Sequence, residues 1–233
     1  MKYLLSFITL VGMVGLKGQP YSFSSRGLGG GGALFSLSIR PDNTDEFFVS
    51  CDMGELFHTC DYGRTYTQVA SSELVGGHDS KVIFTATPGL LYSINYANNL
   101  IVPVKRADGG LSWSDLTGNP DPSEQCFGIY ADYNNAQRII IAYYGQLYIS
   151  QNGGGSFTLF HTALSSGSGV VIGGVFFDGN NIYIGTNDGL LFSSNGGTSW
   201  SNLGTTGIPA GQAIWSFAGA RQNGQTRLFC ITA

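Results

Sequence analysis

Hydrophobic positions along this chain fall into short runs bounded by Gly, Asn, Asp and Pro, not into helical stripes. The runs are rich in β-branched and aromatic residues, which suit a pleated, half-buried surface. They predict strands over 33–39, 47–51, 56–60 and 66–69, then over 81–87, 90–96, 100–105 and 111–116. The pattern repeats over 127–132, 138–143, 146–150 and 157–161, and again over 170–177, 181–185, 190–194 and 200–203. Two further strands are predicted at 213–218 and 226–231.

A turn motif recurs within this pattern. Its copies are Thr59-Cys-Asp61-Tyr-Gly63-Arg-Thr-Tyr66, Arg106-Ala-Asp108-Gly-Gly110-Leu-Ser-Trp113, Ser150-Gln-Asn152-Gly-Gly154-Gly-Ser-Phe157 and Ser193-Ser-Asn195-Gly-Gly197-Thr-Ser-Trp200. In each, Asp or Asn is followed two residues later by Gly and five later by an aromatic. Asp61, Asp108, Asn152 and Asn195 are separated by 47, 44 and 43 residues, a propeller-blade period. The residue types follow from the turn. Asp or Asn is expected to bond back to a backbone N–H two residues on, and Gly takes the positive φ of a tight turn. The aromatic opens the next strand and packs between sheets. The expected fold is all-β: a β-propeller of four-stranded antiparallel blades, with about four and a half blades present. Two strands without outer partners would leave open edges. A fragment of a larger propeller is therefore expected, in preference to closure by residues 21–32.

Composition agrees with tightly turned sheets. The chain has 233 residues, of which 35 are Gly, 13% are aromatic and only 11% are charged. The net charge is −4 and the basic residues are scattered, so no footprint for nucleic acid or an anionic membrane is present. Lys2 followed by an apolar stretch over 3–16 and a polar break at Lys17-Gly18-Gln19-Pro20 reads as a signal peptide over 1–19. An uncleaved anchor is the alternative. Residues 20–233 then form the partial propeller, in a secreted, cell-surface or periplasmic protein. Cys51, Cys60, Cys126 and Cys230 have neither metal-ligand spacing nor the density of a disulfide framework, and read as buried thiols.

Propeller geometry divides these features between two faces. The repeated motifs are turns between third and fourth strands. Turns between second and third strands share the opposite face with the blade-to-blade loops. There, alignment on the turn Gly brings together Asp52, Tyr143 and Asn187, of which only Asp52 is acidic. The plain alternative is that Asp52 makes an Asx turn. Tyr96, Tyr143 and Tyr144 sit near turns of the same face and are candidate sugar platforms, or else close the packing between blades. His78 lies in a loop of this face and is either a surface residue or a participant.

The repeated turn resembles the Asp box, or BNR repeat, of sialidases, sortilin-type receptors and xyloglucanase-type glycoside hydrolases. Residues 28–66 are similar to the start of the xyloglucanase type. The matching pieces are Leu28-Gly-Gly-Gly-Gly-Ala-Leu-Phe-Ser-Leu-Ser-Ile-Arg-Pro41 and Phe48-Val-Ser-Cys-Asp-Met-Gly-Glu-Leu-Phe-His58, followed by the first box. That family opens with a Gly-rich run and then a Thr-Asp-hydrophobic-Gly-Gly segment whose acid is catalytic. The resemblance places Asp52 on that acid. Cys51 replaces the Thr and Glu55 the second Gly. Gly31 and Gly32 would let the backbone pass close to a ligand. The resemblance also implies a second propeller domain, carrying the other catalytic aspartate beyond residue 233, and a polysaccharide held between the two.

Inverting hydrolysis needs an acid and a base about 6.5–9.5 Å apart, so Asp52 would supply one half of the pair, the base. No cofactor or metal motif, phosphate-binding loop or nucleophile elbow is apparent. The expected function is part of a glycoside hydrolase acting on a β-linked polysaccharide. The alternative is a non-catalytic sortilin-like or adhesion propeller binding peptide or glycan.

Overall fold

The computed structural model describes residues 25, 28, 32–97, 100–107, 109 and 112–233. The segment expected to be a signal peptide, together with Gly31 and Asp108, lies outside them. The described chain is an all-β partial propeller of antiparallel sheets. The first sheet is formed by β1 (Leu34–Ile39), β2 (Phe47–Cys51), β3 (Leu56–Thr59) and β4 (Thr67–Gln68). The second is β5 (Ile83–Phe84), β6 (Leu91–Asn95), β7 (Val102–Arg106) and β8 (Ser114–Asp115). The third is β9 (Gly128–Asp132), β10 (Asn135–Ala142), β11 (Gln146–Ser150) and β12 (Thr158–Thr162). The fourth is β13 (Ile172–Asp178), β14 (Asn181–Thr186), β15 (Gly189–Ser193) and β16 (Ser201–Asn202). A hairpin of β17 (Ile214–Gln222) and β18 (Gln225–Thr232) follows.

Each four-stranded sheet runs in simple sequence order, because every connection within it is a short turn. The second strands are the apolar centre of each sheet: Ile139, Ile140 and Ile141 of β10 are all fully buried, as are Ile182 and Ile184 of β14. They read as continuous apolar runs because neighbouring sheets cover both of their faces. The outermost strands of the first, second and fourth sheets are only two residues long and exposed, which blunts their edges.

The core is a set of layers between successive sheets. Phe48 and Leu56 of the first sheet pack with Phe84 and Leu91 of the second. Tyr92 and Ile94 of the second meet Ile139 and Ile141 of the third. Ile140 and Ile149 of the third meet Ile182 and Ile184 of the fourth. Leu190 of the fourth meets Ile214 and Phe217 of the hairpin.

The three repeated turns at Asp61, Asn152 and Asn195 share one hydrogen-bond scheme. Asp61 Oδ1 accepts from the backbone N–H of Arg64 and Thr65, each at 2.9 Å, and from the Thr59 hydroxyl at 2.8 Å. Asn152 Oδ1 accepts from Ser156 N–H and the Ser150 hydroxyl, and Asn195 Oδ1 from Ser199 N–H and the Ser193 hydroxyl. Contrary to the expectation from the sequence, the N–H two residues after the Asp or Asn does not go to that side chain. It donates to the preceding hydroxyl: Gly63 to Thr59, Gly154 to Ser150 and Gly197 to Ser193. The longer side chain is thereby left to reach the third and fourth N–H groups. Trp200, the aromatic of the last box, stacks on Phe160 of the third sheet at 4.2 Å.

Candidate functional site

The face opposite the repeated turns is built from the β2–β3, β6–β7, β10–β11 and β14–β15 turns and the loops that lead into each sheet. Asp52 lies exposed in the β2–β3 turn. Its Oδ1 accepts from Ala33 N–H at 2.9 Å, and its own N–H donates to Ala33 O at 3.2 Å. This reciprocal clamp ties the turn to the residue just before β1. Gly32 lies beneath it with φ +91°, and a Cβ there would sit 2.6 Å from Asp52 Oδ1 and 2.5 Å from Cys51 Sγ. Only glycine fits this approach.

Asn187, in the β14–β15 turn, makes the same clamp. Its Oδ1 accepts from Val171 N–H at 2.7 Å and its N–H donates to Val171 O at 3.2 Å, just before β13. The side chains differ at the second atom. Asn187 Nδ2 donates to Gly169 O at 3.0 Å, a bond that a carboxylate oxygen cannot make. The fourth sheet thus shows that an amide suffices for the clamp. The negative charge at Asp52 goes beyond what the turn requires.

The loop over 75–80 connects this turn to the rest of the face. Gly76 N–H donates to Gly54 O at 2.8 Å, and the Ser50 hydroxyl to Gly77 O at 2.8 Å. His78 packs its ring on Phe35 at 4.2 Å, and its carbonyl accepts from the Ser36 hydroxyl. Ser36 has φ +49° at a bulge in β1, which turns its side chain toward the loop. Tyr96 donates to Asp79 Oδ2 at 2.8 Å and accepts from Asp79 N–H at 3.3 Å. Burial, reinforced by Asp79, pushes the Tyr96 phenol well above its ordinary value, so it stays protonated as a donor.

Asp79 reaches a cleft of about 370 Å³ shared by the third and fourth sheets. Phe127, Tyr130, Tyr144, Val171 and Ile172 also line it. Tyr144 is 47% exposed, with its hydroxyl donating to Gly167 O at 2.8 Å, and Phe127 is 43% exposed. Tyr143, one residue away, is only 3% exposed and packs in the layer between the second and third sheets, with its hydroxyl on Asn119 Oδ1. Burial raises its phenol pKa strongly. Its ring faces are therefore not open to a ligand, which corrects its place among the sugar platforms. The two tyrosines follow the end of β10 in the β10–β11 turn, where the Tyr143 N–H still donates to Gln146 O at 2.9 Å.

The structure thus links Asp52, Gly32, Tyr96 and Tyr144 through one loop, and removes Tyr143 from the accessible set. It adds Phe127, Tyr130 and Asp79. Phe127 was readable only as the first residue of a strand, and nothing local distinguishes a mouth residue from a core one.

No protein-family profile and no curated protein matches the chain. Solved structures do resemble it. An ancestral GH74 enzyme superposes with a TM-score of 0.60 at 21% identity, covering 75% of this chain and 24% of the enzyme. A GH74 enzyme of Niastella koreensis gives 0.53 at 24% identity, covering 84% of this chain and 29% of the other. The extracellular domain of a one-component system of B. thetaiotaomicron gives 0.58 at 16% identity, covering 83% and 26%. The chain therefore spans about a quarter of the length of these neighbours. At these identities the likeness shows the propeller fold.

Proposed function

We propose that this chain is the propeller portion of an exported glycoside hydrolase acting on a β-linked polysaccharide, with Asp52 as one of its two carboxylates. The observation that carries the proposal is the contrast between Asp52 and Asn187. The two side chains clamp equivalent turns, Asp52 Oδ1 also accepting from Cys51 Sγ at 3.6 Å and Asn187 Nδ2 donating to Gly169 O. An exposed carboxylate where an amide would keep the clamp is better explained by chemistry than by folding.

The cleft extends the reading. Tyr144 and Phe127 offer exposed aromatic surface on the same face, suited to the apolar C–H faces of a sugar ring. Asp79 and the Tyr96 hydroxyl supply polar groups at its edge. In an inverting reaction Asp52 would take a proton from the attacking water. The acid that protonates the leaving oxygen would come from a second propeller domain across the polysaccharide. The structural likeness of this chain to two GH74 enzymes supports this reading.

The test is Asp52→Asn in the full-length protein. Asn187 indicates that an amide at this position keeps the clamp, so the variant should fold with unchanged stability. Loss of general-base catalysis is expected to lower β-glucan hydrolysis by about 10²–10⁴-fold. Undiminished hydrolysis would overturn the assignment. A second reading, a non-catalytic glycan-binding propeller, is favoured by the likeness to the extracellular domain of a one-component system. It predicts glycan binding without turnover, unchanged by Asp52→Asn and weakened by Tyr144→Ala.

A further inference from the structure

We infer that the first sheet carries a zinc site formed by Glu46, His58 and Cys60, on the face opposite Asp52. Among the described residues these three side chains bring one ligand atom each within 4.8 Å of one another. The register of β2 and β3 makes the cluster. Phe47 pairs with Thr59 and Phe48 with His58, so Glu46 falls opposite Cys60, and all three ligands lie on one side of the sheet. Along the chain they have no metal-ligand spacing.

The atoms are already close to a zinc-binding arrangement. His58 Nε2 lies 3.1 Å from Glu46 Oε1 and 3.5 Å from Cys60 Sγ. Zinc bonds of about 2.0–2.3 Å place tetrahedral ligand atoms roughly 3.5 Å apart. The ligands are also oriented from outside. The His58 ring lies flat on Phe48, with centroids 4.1 Å apart and planes 10° apart. Arg40 Nη1 holds the other Glu46 oxygen at 2.8 Å, which turns Oε1 toward the imidazole. The Arg40 charge is itself matched by Asp42 at 2.7 Å. Cys60 is exposed, giving the ion a path in and leaving a fourth position for water.

The donor set selects the metal. Thiolate, imidazole and carboxylate together suit zinc, whereas magnesium or calcium would require oxygen ligands. On binding, the thiol releases its proton to solvent, and thiolate plus carboxylate offset the two charges of the ion. Bound there, zinc would join the start of β2 to the end of β3, next to the first repeated turn.

The full chain, reduced with a phosphine, tests this with cobalt as a spectroscopic stand-in and with zinc in competition against a chromophoric chelator. The expected result is one equivalent of metal per chain and a thiolate-to-cobalt charge-transfer band. Cys60→Ser should abolish the band, while Cys230→Ser should leave it intact. Glu46→Gln should weaken zinc binding at least about tenfold. Cys60 is exposed, so its serine variant should fold, and circular dichroism checks that it does. Absence of the band in the wild-type chain, or its persistence in Cys60→Ser, would overturn the proposal.

Discussion

The Ser193 hydroxyl lies at the centre of the last repeated turn, and its removal should have a calculable cost. Ser193 is 1% exposed. Its hydroxyl donates to Asn195 Oδ1 at 2.9 Å and accepts from the buried Gly197 N–H at 2.9 Å and, at a longer 3.4 Å, from the N–H of the exposed Asn195. Gly197 is itself buried and pressed against the third sheet. A Cβ on Gly197 would lie 2.2 Å from Ile149 Cδ1. Ser193→Ala therefore leaves a buried N–H without a partner, at about 1–3 kcal/mol, and removes a second hydrogen bond worth about 1 kcal/mol. The expected loss is about 2–4 kcal/mol, read from urea unfolding followed by tryptophan fluorescence at unchanged m-value. Ser199→Ala removes only an exposed partner of the Asn195 amide and should cost less than about 0.5 kcal/mol. Combining Ser193→Ala with Asn195→Ala should cost less than the sum of the single changes, since both act on one network. A loss below about 0.5 kcal/mol for Ser193→Ala would refute the claim that the hydroxyl organises the turn.

Three other outcomes are expected. The backbone N–H and then the hydroxyl of Thr65 hold the Asp61 carboxyl down to about 2, from an ordinary value of 3.8. Its contribution to stability is thus present above 3.8 and lost as pH falls through about 2. Asp61→Asn, the residue already used in the third and fourth boxes, should keep the turn and flatten melting temperature against pH in that window. Gly32→Ala should displace the Asp52 turn and destabilise the protein by at least about 1–2 kcal/mol from its positive φ alone, as measured by thermal melting. With a chromogenic thiol reagent on the metal-free chain, Cys60 should react before Cys126, whose burial pushes its thiol up to about 12 and which should react only after unfolding.

Much of the fold was legible because turn residues punctuate the chain. The predicted 47–51 and 146–150 coincide with β2 and β11, and 181–185 falls within β14. Prediction overreached at the outer strands: 111–116 became the two-residue β8. Apolar residues such as Leu116 and Trp113 read as strand, but they sit in interlayer packing beyond the ladder. The site was legible only in part. Asp52 and Tyr144 stood out by residue type and turn position, but only packing against the second sheet separates the buried Tyr143 from Tyr144. The Glu46, His58 and Cys60 cluster was invisible, because only cross-strand register brings 46 beside 60. The equivalence of Asp52 and Asn187 was visible as an alignment, but the clamp that gives it meaning is a long-range hydrogen bond.

The layered core described above has a further consequence for cooperativity. Among the described residues each core layer joins sheets that are neighbours in sequence, so stability should accumulate largely seam by seam, as in a repeat array. Amide exchange should then be slowest in β10 and β14, which are sandwiched on both sides. It should be fastest in β18, where Phe229 and Ile231 are largely exposed. A ligand in the Tyr144 cleft would bridge the third and fourth sheets and clip one seam shut. Its binding should be felt as protection of that seam and its two flanking sheets, and should fade with each sheet beyond.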